Sequence, residues 1–250
     1  CDEYLVAVNK PAGLLVHRSP IDRHETRFAL QLLRDQLGQR AYPIHRLDKP
    51  TSGVLLFGRT AEAAKMFAPL FTARKVVKTY LAVVRGWCPD QGLIEHPLTE
   101  EFDRAAVTNC ATAKKAQAPR VQDAETRFRL LGTAELPIAV DKYPNTRYSL
   151  VQLQPITGRR HQLRRHMKHI SHPIIGDANH GKGVHNRFFQ RHFNCHRLLL
   201  TCTRVELQHP VYNTPLNIEA ATGDVFEATA EALGWKQELA RELAAKTKAP

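Results

Sequence analysis

Acidic charge, paired cysteines and long apolar runs are what this chain has least of. Its 24 Asp and Glu stand against 36 Lys and Arg, a formal net charge of +12, with a pI near 9.7. That imbalance makes a polyanion the default partner, because phosphates meeting Lys and Arg provide salt-sensitive affinity. Acidic lipids and acidic proteins would answer the same charge. Five cysteines (Cys1, Cys88, Cys110, Cys195 and Cys202) form an odd, scattered set without a CxxC pair. A disulfide framework and a zinc knuckle are therefore excluded, and the reducing cytoplasm is the expected compartment. No apolar run approaches the ~18 residues of a membrane span, and no signal-peptide pattern is visible in a chain that opens on Cys1 instead of Met. Cofactor and catalytic signatures are missing too. There is no Walker A loop, no GxSxG elbow, and no second marked carboxylate of the kind a glycosidase needs. His45-Arg46-Leu47-Asp48 shares its His-Arg and Asp with the kinase catalytic loop, but neither GxGxxG nor DFG accompanies it.

What is present suffices for a folded globular protein. The 250 residues are 43% hydrophobic, and a chain of that length buries roughly 70–75% of its unfolded surface. Tyr4 to Val8 reads as a strand closed by a turn over Asn9 to Gly13. Phe28 to Leu37 has helical apolar spacing and stops at Gly38. Val54 to Phe57 reads as a buried strand, leading to a helix from Thr60, which can cap it. Lys78 to Gly86 and Tyr148 to Leu153 are further strands, the latter ending at Pro155. Residues 103 to 125 are Ala-, Lys- and Gln-rich and read as a long mobile loop. No repeat and no Gly/Ser-rich linker divides the chain. The expectation is an α+β fold: one catalytic domain over residues 1–225, with a mixed, mostly antiparallel sheet flanked by helices and loops. Residues 226–250 are expected as a solvated helical appendage.

Two segments carry chemistry. In His45-Arg46-Leu47-Asp48-Lys49-Pro50-Thr51-Ser52-Gly53, one carboxylate sits in a polar turn at the lip of a strand. Arg46 and Lys49 flank it with fixed positive charge, which keeps Asp48 ionised and suits a nucleophile or base better than a proton donor. A surface Asp in a turn has the same appearance. The second segment, Thr157 to Ile170, reads as a basic helix capped by Thr157. Leu163, Met167 and Ile170 form its buried stripe. Arg160, Arg164 and Lys168 fall at i, i+4 and i+8, and such a row persists more readily with an anion to neutralise it. One member could instead hold the catalytic carboxylate through a bidentate pair. His161, His166, His169 and His172 have no HExxH spacing and no carboxylate on the helix, so no metal site is expected.

Taken together, these motifs resemble the pseudouridine synthases of the RluA family. The matches are Lys10-Pro11-Ala12-Gly13, the HRLDxxTSG run with Asp48, KxYxAxVxG with Tyr80, and TGRxHQLRxHM with Arg164. His172-Pro173-Ile174-Ile175-Gly176-Asp177 and Arg197-Leu198-Leu199-Leu200 follow in family order. The chain departs from the family at Thr201-Cys202, where a His usually follows the RLxL strand. The resemblance implies isomerisation of uridine with no cofactor. Asp48 is the essential carboxylate by this likeness, attacking C1′ or removing a ribose proton. Arg164 pairs with Asp48, and Tyr80 stacks on the flipped base where the C5 proton is removed. Arg46 takes the space of the flipped nucleotide or holds its phosphate, and Lys49, Arg160, Arg165 and Lys168 are further RNA-binding candidates. Val16-His17-Arg18-Ser19, Tyr143 to Tyr148 and Arg164-Arg165-His166 resemble the tRNA-acting members that isomerise uridine 65, in the T stem beside the acceptor stem. A cytoplasmic monomer acting on tRNA, without membrane or protein partner, is implied. A ribosomal-RNA synthase of the same family is the alternative, and a non-catalytic RNA-binding module is a more distant one.

Overall fold

In the computed structural model, which describes residues 2–18, 24–100 and 120–245, the strand expected near Lys78 runs over Val77–Arg85 (β4). Side chains alternate across a strand. Tyr80, Ala82 and Val84 therefore enter one apolar core while Leu81 and Val83 enter a second. A strand with two buried faces must lie mid-sheet and be covered on both sides.

It does, among the described residues, as one of nine strands in a single sheet. The order is β1 (Leu5–Lys10), β3 (Ser52–Gly58), β10 (Leu200–Gln208), β4, β9 (Thr146–Pro155), β8 (Glu125–Leu136) and β5 (Gln91–Glu95). β2 (Tyr42–Pro43) pairs with β3, and β11 (Pro215–Glu219) pairs with β10. β6 (Leu98–Thr99) and β7 (Val121–Gln122) form a separate ribbon. Only β3 and β10 run parallel, where Ser52 and Gly53 meet Thr201 and Cys202. The sheet is mixed and mostly antiparallel, as expected.

Among the described residues, six helices cover it. α1 (Ala29–Leu37), α2 (Ala61–Thr72) and α3 (Gln162–His169) give Leu33, Phe67, Leu163 and Met167 to the first core. α4 (Gly183–Phe193), α5 (Asp224–Ala232) and α6 (Lys236–Ala244) give Phe189, Phe226, Ala230 and Leu239 to the second. α1 ends at Gly38 in the left-handed conformation, which costs glycine nothing. Thr60 caps α2 as expected, its Oγ1 accepting from Ala63 N at 3.1 Å.

Three expectations are corrected. The stretch from Phe226 is helical but not solvated, since Phe226, Ala230, Trp235 and Leu239 are buried against the sheet. Large apolar side chains withdrawn from water contribute about 1.5–3 kcal/mol each, so α5 and α6 close the second core. Residues 246–250 lie outside the described residues. Of the loop expected over 103–125, residues 103–119 also lie outside them. Val121 and Gln122 form β7, and Glu125 opens β8, paired with Glu95. Finally, Thr157 does not cap α3. Its hydroxyl donates to Gln162 Oε1 at 2.7 Å and accepts from Glu125 N at 3.0 Å, and His161 takes the cap position with φ at +52°. The helix thus starts after Arg160, so the Arg160/Arg164/Lys168 row does not form.

Candidate active site

Asp48 stands in the turn just before β3, closed by Thr51 N donating to Asp48 O at 3.1 Å. Two features lock this turn in place. Gly53 has φ of +106°, and a Cβ there would lie 2.0 Å from Cys202 O, so only glycine lets β3 lie this close to β10. Beneath the turn, Lys10 is almost completely buried and donates from Nζ to the carbonyls of Pro11, Leu14 and Lys49 at 2.8–3.1 Å. Burial pulls the Lys10 pKa down to about 7, against the upward pull of the Asp48 carboxylate. The folded chain then binds fewer protons than the unfolded one between about pH 7 and 10.5. The Lys10 contribution to stability accordingly rises with pH across that window, by up to about 1.4 kcal/mol per unit, and is level below it. Lys10→Met should abolish this slope. Urea midpoints measured at pH 7 and pH 10 check it, and an unchanged slope in the variant would count against the assignment.

The second half of the site comes from α3. Gln162 is buried and uses its whole amide. Oε1 accepts from Thr157 Oγ1 and Arg159 N, while Nε2 donates to Glu125 O and Thr126 Oγ1. His166 adds contacts to Thr126 Oγ1 and His96 O. The helix is thereby fixed to β8, and Arg164 faces inward. Its Nη1 donates to Asp48 Oδ2 at 3.2 Å, and its Nε and Nη2 form a bidentate pair with Asp177 at 2.7 and 2.8 Å. Burial works against the charge on both Arg164 and Asp177. Their mutual hydrogen bonds win, raising the arginine and lowering the carboxyl from their ordinary values. Asp177 also accepts from Asn179 N and His180 N. It follows Gly176, whose Cβ would lie 2.0 Å from Arg197 O at φ of +81°.

These parts meet in a cleft of about 710 Å³. Asp48 is the one carboxylate among its described wall residues, facing Arg46, Arg74, Lys78, Arg159, Arg160 and Arg164. Tyr80 and Leu200 are also in the wall, and His45 lies flat on Phe71, with ring centroids 4.7 Å apart. Burial drops the His45 pKa to about 4, so it is neutral, and its Nε2 accepts from Leu56 N. Burial, then the Cys202 thiol and the Asp48 charge, push the Tyr80 pKa well above its ordinary value. Tyr80 is a protonated phenol in the free protein. His161 Nε2 lies 3.9 Å from Asp48 Oδ2, while its Nδ1 contacts His180 Nε2 at 3.2 Å.

Of the residues singled out in the sequence, the structure gathers Asp48, Tyr80, Arg164, Arg46 and Arg160 around one cleft. Lys49, Arg165 and Lys168 are not in its wall. Lys49 reaches Glu25 at 3.0 Å, Arg165 donates to Thr99 O, and Lys168 is exposed on α3. The four histidines also separate. His161 is beside Asp48, His166 on β8, His169 stacked on His96, and His172 on Arg85 O. Among the described residues no three His, Cys, Asp or Glu side chains gather as metal ligands would. Sequence reasoning missed Lys10, Lys78 and His161 as site residues and Asp177 as the principal partner of Arg164. All four stood in quoted motifs, and that was their only signal as site residues.

A carboxylate ringed by cations in a cleft between a mixed sheet and a basic helix offers a reactive acid beside groups that bind phosphate. The sequence profile of the RNA pseudouridylate synthases matches residues 4–169. The chain belongs to that family, and is an isomerase that converts uridine to pseudouridine. It is 49% identical over 238 residues to tRNA pseudouridine synthase C of Vibrio cholerae, covering 95% of this chain and 96% of that one. It is 50% identical over 217 residues to tRNA pseudouridine synthase C of Pasteurella multocida, covering 87% of each. Among solved structures, human RNA pseudouridylate synthase domain containing 1 superposes with a TM-score of 0.69 at 23% identity, covering 100% of this chain and 95% of that one. At that identity the likeness shows the fold.

Proposed function

We propose that this chain isomerises uridine in tRNA, at position 65 where the T stem meets the acceptor stem. One observation carries the reading: Asp48, held by Arg164, is the one carboxylate among the described wall residues of a cleft with six cationic side chains beside Tyr80. Two relatives named tRNA pseudouridine synthase C, alike over most of their length, support tRNA as the RNA.

A stem uridine is paired, so it must be extruded at a cost of a few kcal/mol before Asp48 can reach its ribose. Arg46, exposed at the mouth of the cleft, takes the space left in the stem or holds the extruded phosphate. A-form RNA offers little readable major groove, so shape and phosphate contacts to Arg46, Arg160 and their neighbours place the duplex. Lys49, Arg165 and Lys168 serve the RNA outside the cleft. Asp48 then attacks C1′ or removes a ribose proton to give a glycal, and in either route the N1–C1′ bond breaks and uracil leaves with its electron pair. The base turns and C5 bonds to C1′ as the Asp48–C1′ bond breaks or, on the glycal route, as Asp48 returns the ribose proton; C5 then loses a proton and N1 gains one. Atoms and charge balance with no redox partner. No helix among the described residues is long and apolar enough to cross a membrane. A tRNA substrate places the enzyme in the cytoplasm, where it would work as a monomer.

Tyr80 supports the base and works at the C5 proton. Because burial keeps it a phenol, it accepts that proton only as its own departs. Tyr80→Phe keeps the ring and loses the hydroxyl, so turnover should drop about 100-fold or more while affinity changes less than threefold. Multiple-turnover rates equal to those of the parent would show that the hydroxyl has no chemical part. The target itself is tested by mapping pseudouridine in total RNA from cells lacking this gene. Loss at tRNA position 65 is expected. Intact tRNA with a missing ribosomal-RNA site would overturn the assignment.

A further inference from the structure

A second cleft, of about 490 Å³, lies at the other end of β4. Arg85, in its wall, is five residues from Tyr80, about 17 Å along an extended strand, and alternation turns it to the opposite face. The volume falls within the range of small-ligand sites, about 300–1,000 Å³. Its chemistry differs from that of the Asp48 cleft. Two large aromatic side chains, Trp87 and Tyr143, are about half and two-thirds exposed. Trp87 carries the Arg147 guanidinium 4.0 Å from its ring centroid and is tied down by Nε1 donating to Ala134 O. An exposed, tethered indole beside an arginine plane, with a second exposed ring in the same wall, forms the kind of platform on which unpaired bases stack.

The wall also has polar edges at the right scale. Its described charges cancel, Arg85 and Arg147 against Glu135 and Asp141, so it suits a neutral planar group with donors and acceptors and not a polyphosphate. Glu135 is shared with Asn145 and Arg147, and Asp141 pairs with Lys182. Deeper lies His185, 4% exposed, whose Nδ1 meets Tyr148 Oη at 2.9 Å. Its Nε2 is buried without a hydrogen-bond partner among the described residues. Burial, then Arg85 and Lys182, lower the His185 pKa to about 4, so this wall residue is a neutral ring with an unsatisfied nitrogen just beneath the surface. Buried polar atoms are nearly always paired, and an orphan beside a cavity marks where a ligand or water completes the set.

We propose that this cleft binds a nucleobase, stacked on Trp87 and Tyr143 with its polar edge toward His185. The base comes either from a free nucleoside monophosphate or from an unpaired nucleotide of a bound RNA. The site stands apart from the Asp48 cleft, so turnover does not enter its test. The full chain and its Trp87→Ala and Tyr143→Ala variants, both altered at exposed positions, are titrated by calorimetry with AMP, GMP, CMP and UMP. They are then titrated with two RNA duplexes, one blunt and one ending in an unpaired 3′ nucleotide. If free nucleotides are the source, at least one binds the parent and both variants weaken it tenfold or more, the scale of a lost stacking partner. If RNA is the source, the parent prefers the overhanging duplex at least tenfold and both variants erase the preference. Affinities for all four nucleotides and both duplexes that are the same in the parent and both variants would overturn the proposal.

Discussion

Asp48→Asn is expected to lower turnover at least a thousandfold while leaving RNA affinity within about threefold. The substitution keeps the size of the side chain and one oxygen to accept from Arg164 Nη1, so the cleft holds its shape. It removes the charge and the oxygen proposed to attack C1′ or take the ribose proton. Losses of this size are what removing a nucleophile or its base produces elsewhere. Single-turnover kinetics with a tRNA stem, beside a filter-binding isotherm, separate the two quantities. Turnover by Asp48→Asn within tenfold of the parent would end the assignment of the acid.

The second large effect is expected at Arg164, and it splits into two parts. Asp177 has no exposed side-chain surface and takes both of its arginine bonds from this one guanidinium. Arg164→Met leaves that carboxylate buried and unpaired, a loss of about 3–5 kcal/mol. It also frees Asp48 from its 3.2 Å contact, so turnover at saturating RNA should fall at least about 100-fold. The double variant Arg164→Met with Asp177→Leu removes the stranded charge. Urea unfolding should show most of the lost stability regained, while turnover stays low. Recovery of turnover together with stability would mean that Arg164 acts on Asp48 only by holding the fold. Lysine is a poor substitute here, because one ammonium cannot reproduce a fork that serves two carboxylates.

How much of this was legible in the sequence depends on how local each cause is. The strand before Phe57, the α1 stop at Gly38 and the Thr60 cap were readable because their determinants lie within a turn or two of the effect. That Asp48, Tyr80 and Arg164 share one cleft was readable through their motifs. β8 was missed: its residues alternate imperfectly, and a register shift between Leu130 and Gly132 breaks the pattern. α5 and α6 read as partly amphipathic because Leu233 and Trp235, both buried, fall in the connection between them. Thr157 looked like a cap because Ser and Thr usually are at such positions. Gln162 took its hydroxyl instead, an effect that needs Glu125 and Thr126 from a distant strand. Nothing near Lys10 announces that three carbonyls will surround it, and nothing near Arg164 announces Asp177. The fold supplied those contacts.

The parallel junction of β3 and β10 also has a consequence for the order in which the protein can assemble. β10 separates β3 from β4 in the sheet, yet it is made after most of the chain. At ~5–20 residues per second, roughly 7–30 s pass between synthesis of Gly58 and synthesis of Thr201. Until then the facing edges of β3 and β4 have no partner, and the Asp48 turn lacks the Cys202 backbone against which Gly53 rests. Contacts of such long sequence separation form late. A nascent chain stalled before residue 200 would carry the acid, the tyrosine and the arginine and still be inert. Catalytic competence in this enzyme thus arrives with the tenth of the eleven described strands, and the unpaired edges before that moment are where a chaperone would act.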